Sequence, residues 1–332
     1  MSGAATGFRM RARLAVRGRV GAPKLGLFEL GTHRVVHIPN CVVHHPLVNR
    51  VAGIVRRAIA ETRLTSYSDQ AQLGLVRYLQ VVVERASQTA QVVLVANDPS
   101  PAPLAACLEL VRGRLGTELH SLWVNANTAH GNTILGPGFH HWCGPDSVVE
   151  TFGGAAVHYP PGAFGQNNLD LAARLVERIG EWIPTGSRVA EFYAGVGAIG
   201  LSILGRVSAI SLNEVAASSL AGLERGLAAL EPQERAKVTV VPGEAGAMHA
   251  GAAGADVVIA DPPRKGLDPL LVDALLREPP ARFVYASCGL ESFLADTTRL
   301  TASGRLRLAE LEVFNLMPYT EHLETLARFE RA

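Results

Sequence analysis

The chain has 332 residues, 48% apolar and 18% charged, with four cysteines and a formal net charge of +1. This length and apolar share suit two buried cores and exclude a disordered chain. Cys41, Cys107, Cys143 and Cys288 form no CxxC pair, so neither a disulfide framework nor a zinc site is expected, and a reducing cytoplasm is the expected compartment.

The opening MSGAATGFRMRARL lacks the apolar core and cleavage site of a secretory signal. No stretch offers the ~18–20 apolar residues of a membrane helix, so no membrane partner is expected. Charge is unevenly spread. Residues 1–60 hold ten Lys/Arg against one Asp/Glu, and the remaining 272 hold 21 against 29. The first segment is therefore expected to face a polyanion. Residues 8–19, FRMRARLAVRGR, alternate basic with apolar or small residues as a half-exposed strand does, with Arg9, Arg11 and Arg13 on one side. Short strands broken by Gly26 and Gly31 follow over 24–38. A helix over 46–64 opens with Pro46 and sets Leu47, Val51, Ile54, Val55 and Ile59 at helical spacing. Strands at 76–85 and 91–98, a helix near 101–115 and a strand at 119–127 complete a mixed α+β domain. The histidines of FHHWC (139–143) are too irregularly spaced for a metal site, and none is expected. Prolines and glycines at 160–165 mark a boundary, giving a basic domain over 1–163 and a second domain over 164–332.

Beyond the boundary, an amphipathic helix with Leu171, Leu175, Ile179 and Trp182 near one face leads into short apolar strands alternating with helices. That pattern predicts an α/β domain with a doubly wound parallel sheet. Residues 306–331 supply two strands without a helix between them, an antiparallel edge pair.

Three features carry chemistry. Gly195-Val-Gly197-Ala-Ile-Gly200 spells GxGxxG, with Glu214 fourteen residues past the last glycine and placed for ribose hydroxyls. The turn suits a nicotinamide dinucleotide and S-adenosylmethionine equally, and glycines that merely allow tight packing are the plainer alternative. Asp261-Pro262-Pro263 follows an apolar strand. The two prolines hold an extended loop with a carboxylate at the binding edge. Dehydrogenases have no need of such a loop, whereas methyltransferases set donor methyl and acceptor base beside it. Arg264 stands where amino-group methyltransferases carry an aromatic residue, which argues against an exocyclic amine as target. Cys288 ends the next strand, as a nucleophile or as a small buried hydrophobe. In MPYTEHLE (317–324), strand alternation sends His322 and Glu324 to one side.

The segments FRMRARLAV, LHSLWVNANTAHGNTILG, FGQNN, YAGVGAIGL, DPPRKGLD, SCG and PYTEHLE span nearly the whole chain in this order. Together they resemble the RNA 5-methyluridine (uracil-C5) methyltransferase family of the TrmA/RumA type. The resemblance implies a Rossmann-like class I S-adenosylmethionine methyltransferase domain behind a smaller RNA-binding α+β domain. It implies methylation of carbon 5 of a uridine in tRNA or rRNA. Gln166, Tyr193, Glu214 and Asp261, with the turn glycines Gly195 and Gly197, would contact the cofactor. Cys288 would add to carbon 6 and Glu324 would remove the carbon 5 proton, while Arg264 or Lys265 would meet a uracil oxygen or a phosphate. Only Cys41 matches the cysteines of iron–sulfur members, so no cluster is expected, and the N-terminal barrel of many members is not seen. Gly289-Leu290 replaces the usual Asn-Pro, and Ala198 replaces a cofactor-contacting asparagine. These departures leave two alternatives, a cytosine or other nucleobase methyltransferase and an RNA-binding protein with a decayed site.

Overall fold

The alternating segment near the start forms β1 (Arg11–Arg19), followed by β2 (Ala22–Phe28), β3 (Val35–His37) and the helix α1 (Pro46–Glu61). Then come β4 (Val76–Glu84), β5 (Thr89–Ala96), α2 (Ala105–Leu115), β6 (Leu119–Ala126) and β7 (Gly138–Cys143). This computed structural model describes residues 1–332. The seven strands form one sheet in the order β3-β2-β1-β4-β5-β6-β7. Only β5 and β6 run parallel, because α2 carries the chain back between them. Leu47, Val51, Val55 and Ile59 of α1 are buried and join Leu14, Leu79 and Leu94 of the sheet in one core.

Gly26, expected to break a strand, lies inside β2. A Cβ there would come within 1.7 Å of the Val36 carbonyl oxygen, so the glycine lets β3 approach. β7 was not expected from the sequence. It is an edge strand with no buried residue, so it carries no apolar alternation. Its His140 and His141 rings sit 2.8 and 2.7 Å from the Pro99 and Gly144 carbonyl oxygens.

Contacts divide the chain into two units, residues 4–150 and residues 151–332, with 1–3 joining the second. The hairpin β8 (Val148–Phe152) and β9 (Ala155–Tyr159) turns at Gly153 and Gly154, both at positive φ (+54° and +86°), as a two-residue hairpin requires. β9 packs on helices of the second unit, so this unit begins ahead of the proline-rich loop that marked the boundary in the sequence.

The second unit continues with α3 (Leu169–Trp182), β10 (Arg188–Phe192), α4 (Ala198–Ser202), β11 (Ala209–Glu214), α5 (Ala217–Ala228), α6 (Pro232–Arg235) and β12 (Val238–Pro242). After these come β13 (Val257–Ala260), α7 (Pro269–Arg277), β14 (Arg282–Ser287), α8 (Leu290–Ala302), β15 (Leu306–Phe314) and β16 (Glu324–Arg331). The sheet runs β12-β11-β10-β13-β14-β16-β15. Its first five strands are parallel and β16 and β15 antiparallel, the architecture expected from the sequence. The order reverses between β10 and β13, and in such sheets the ligand crevice lies beyond the carboxyl ends at that point. No helix is long and apolar enough to cross a membrane.

Candidate active site

At the reversal, β10 gives way to a turn whose Gly195 and Gly197 have φ of +58° and +85°. A Cβ at Gly197 would lie 2.7 Å from Leu223 Cδ1, and one at Gly200 would lie 2.5 Å from Leu212 Cδ2. These glycines thus let α4 pack against α5 and β11. Tyr193 also takes a left-handed φ of +60°, a strained state for a bulky residue. Its hydroxyl accepts a hydrogen bond from the Asp268 amide at 3.0 Å, tying the turn to the loop before α7.

Glu214 ends β11. Its Oε2 accepts from the Gly195 amide at 2.8 Å, and its Oε1 from the Val215 and Ala216 amides at 2.7 and 2.6 Å. Three backbone donors aim this carboxylate, and a carboxylate with about four acceptor positions retains capacity for a ligand hydroxyl. Gln166, half-buried in the loop before α3, makes no hydrogen bond within the chain.

Glu191 belongs to none of the sequence motifs. It is 2% exposed on β10, its Oε2 has no hydrogen-bond partner, and a Cβ on Gly200 would fall 2.5 Å from that oxygen. Burial first, then the negative charge of Asp261, pushes its carboxyl up to about 8. An acidic residue between the apolar Val189, Ala190 and Phe192 of β10 was the available signal.

The next three strands deliver three acidic groups to one edge. Asp261 follows the fully buried β13, Cys288 follows β14, and Glu324 begins β16. Register pairs Ser287 with Thr325, which sets Cys288 opposite Glu324, and Thr325 Oγ1 donates to the Ser287 carbonyl at 3.1 Å. Glu324 is buried at 2% exposure, whereas Cys288 is partly exposed. Burial raises the Asp261 carboxyl, and burial with the charge of Asp261 raises Glu324 well above the usual carboxylate range. The Cys288 thiol is also raised, by burial, then Glu324 and Asp261, while Arg264 pulls it down. His322 does not share the side of Glu324 by strand alternation, because β16 begins only at Glu324 and His322 lies in the preceding loop.

The loop from Asp261 to Asp268 is clamped by α8. Ser292 Oγ lies 2.9 Å from both the Arg264 and Gly289 carbonyl oxygens and donates to them. Asp296 Oδ2 accepts from the Leu267 amide at 2.9 Å and from the Tyr285 hydroxyl at 2.7 Å. A Cβ at Gly289 would approach the Arg264 carbonyl oxygen to 2.6 Å, so the glycine in place of an asparagine makes room for this loop. Arg264 and Lys265 of this loop are exposed.

The family described as tRNA (uracil-5-)-methyltransferase matches residues 252–331, the stretch holding Asp261, Cys288 and Glu324. A 23S rRNA (uracil(747)-C(5))-methyltransferase of Xenorhabdus nematophila is 26% identical, over 97% of this chain and 85% of its own length. The tRNA (uracil-54, C5)-methyltransferase of Pyrococcus abyssi, solved with S-adenosyl-L-homocysteine, shares the fold at a TM-score of 0.80. It is 22% identical, and the match covers 98% of this chain and 76% of that one. An uncharacterized RNA methyltransferase of Protochlamydia amoebophila is 36% identical over 99% of this chain and 87% of the relative. With likeness of that extent, and with the matched C-terminal stretch, the chain belongs to the RNA methyltransferase family of the uracil-5 type.

Proposed function

We propose that this chain methylates carbon 5 of a uridine in tRNA or rRNA, with S-adenosylmethionine as donor, through a transient bond between Cys288 and carbon 6. One observation carries the reading: a partly exposed cysteine faces a buried glutamate across adjacent strands at the ligand edge of the sheet, beside Asp261. The chain fits the donor. Gly195 and Gly197 admit close backbone approach, Glu214 suits ribose hydroxyls, and Gln166 is free for polar contact. The acidic crowd at Asp261 suits a sulfonium cation. When bound, S-adenosylmethionine supplies an electrophilic methyl group.

The remaining chemistry belongs to the protein. Carbon 5 of uracil is a weak nucleophile until Cys288, as thiolate, adds to carbon 6 and leaves enolate character at carbon 5. Once carbon 5 carries its methyl group, Glu324 takes the carbon 5 proton. The carbon–sulfur electron pair returns to Cys288, and the ring double bond reforms. The basic segment over 1–60 supplies charge for the RNA backbone, and the scattered cysteines, with no CxxC pair, suit work in a reducing cytoplasm.

An RNA bearing 5-fluorouridine tests the reading, because fluorine cannot leave as a proton does. With S-adenosylmethionine present, the wild-type chain should form an adduct that survives denaturing gel electrophoresis and maps to Cys288. Cys288→Ala should form none. Donor binding without any adduct would overturn the covalent route.

A further inference from the structure

A cavity of about 490 Å³ in the basic unit lies between α1 and the β2–β3 edge. Its volume falls within the ~300–1,000 Å³ of ligand sites. The polar stripe of α1 forms one wall: Arg50, Gly53, Arg56 and Arg57 follow one another at helical spacing, opposite the buried face of the helix. Gly53 opens the room, since a Cβ there would meet only Arg57 Nη1, at 3.7 Å.

Both walls are pinned without a ligand. Asn49 accepts from the Cys41 amide at 3.2 Å and donates to the Cys41 carbonyl at 3.0 Å. The His37 ring lies 2.8 Å from the Leu25 carbonyl oxygen and 3.2 Å from the Leu25 amide. Pro39 and Pro46 stiffen the rim.

No carboxylate lines the cavity. Arg50 is paired with Glu118 at 2.9 Å. Arg56 and Arg57 form no salt bridge, although the charge of Glu61, one helical turn beyond Arg57, is felt by Arg57. The cavity therefore offers two guanidinium groups outside any salt bridge, beside an apolar, proline-walled floor formed with Leu25 and Ala52. Guanidinium forks match phosphate oxygens, and the floor offers contact to the flat face of a base or sugar.

We propose that this cavity holds one nucleotide unit of the RNA substrate, its phosphate on Arg56 and Arg57. The proposal rests on RNA being the substrate and adds a second holding point, away from the methylated base.

Fluorescence anisotropy of a labelled, uridine-containing stem-loop RNA with the full chain tests it, alongside calorimetric binding of S-adenosylmethionine. Arg56→Ala and Arg57→Ala are each expected to weaken RNA binding about fivefold, and each to flatten the slope of log affinity against log salt by about 1. Gly53→Leu fills the cavity while keeping every charge, and should weaken RNA binding by at least about threefold. Donor binding should stay unchanged in all three variants, and circular-dichroism melting of the full chain should match wild type, which shows that the basic unit is folded as well. Arg19→Ala removes an exposed cation of the same segment outside the cavity and serves as reference. If it weakens binding as much as Arg56→Ala, or if Gly53→Leu binds RNA like wild type, the cavity is not the site. If the wild-type chain binds no RNA at all, the substrate reading itself falls.

Discussion

Cys288 sits among groups that hold its proton on. Burial raises the thiol, and the carboxylates of Glu324 and Asp261 raise it further against the pull of Arg264. The thiolate therefore accumulates only toward alkaline pH. Replacing Glu324 by Gln removes one of the opposing charges and should move the pH midpoint of Cys288 alkylation by iodoacetamide, followed by peptide mass spectrometry, to lower pH. Arg264→Ala should move it higher. A midpoint that stays put in both variants would show that these charges do not act on the sulfur. Glu191 makes a matching statement about stability. Its folded pKa of about 8 lies above the ordinary carboxylate value of 4.5, so the native state holds the proton more tightly than the unfolded chain. Its contribution is whole below the ordinary value and is lost as pH climbs through about 8. Glu191→Gln should therefore match wild type near about pH 4 and exceed it near about pH 9, by on the order of 5 kcal/mol in urea unfolding. Equal stabilities at the alkaline end would mean that the carboxylate finds solvent.

Among the elements, the loop after β13 depends on α8 for its shape. Ser292 holds the Arg264 carbonyl, Asp296 holds the Leu267 amide, and Tyr193 holds the Asp268 amide from the glycine turn after β10. Gly289→Ala would drive a methyl group against the Arg264 carbonyl oxygen, already at 2.6 Å from an ideal Cβ. It should cost about 1–3 kcal/mol in stability and lower methyl transfer. Asp296→Ala strips the partner from the Leu267 amide and the Tyr285 hydroxyl and should cost a similar ~1–3 kcal/mol. Melting temperatures equal to wild type in both variants would refute the clamp. None of these bonds was legible in the sequence, because each joins residues far apart in the chain. Gly26 shows the same limit: without its neighbour Val36, a glycine in a strand looks like a break, although it marks the tightest strand approach. β7 and the β8–β9 hairpin escaped notice because their alternation is carried by polar or mixed residues.

Over the whole molecule, charge is divided between a basic beginning and an acidic remainder. RNA affinity should accordingly fall with salt, by about 0.7 in log affinity per log salt for each single-stranded phosphate held. An affinity indifferent to salt between about 50 and 200 mM would deny the basic segment its role. The alternation of apolar strands with helices sufficed for the doubly wound sheet with its antiparallel edge pair, since periodicity and turn residues are local properties of the chain. Motif order along the chain likewise sufficed for the family. Only the folded chain brought Asp261, Cys288 and Glu324 to one edge, left one Glu191 oxygen without a hydrogen-bond partner, and shaped a cationic cavity over Gly53. Burial, register and the mutual shifts of charged groups are sums over neighbours that sequence distance conceals, so tertiary structure alone decides them.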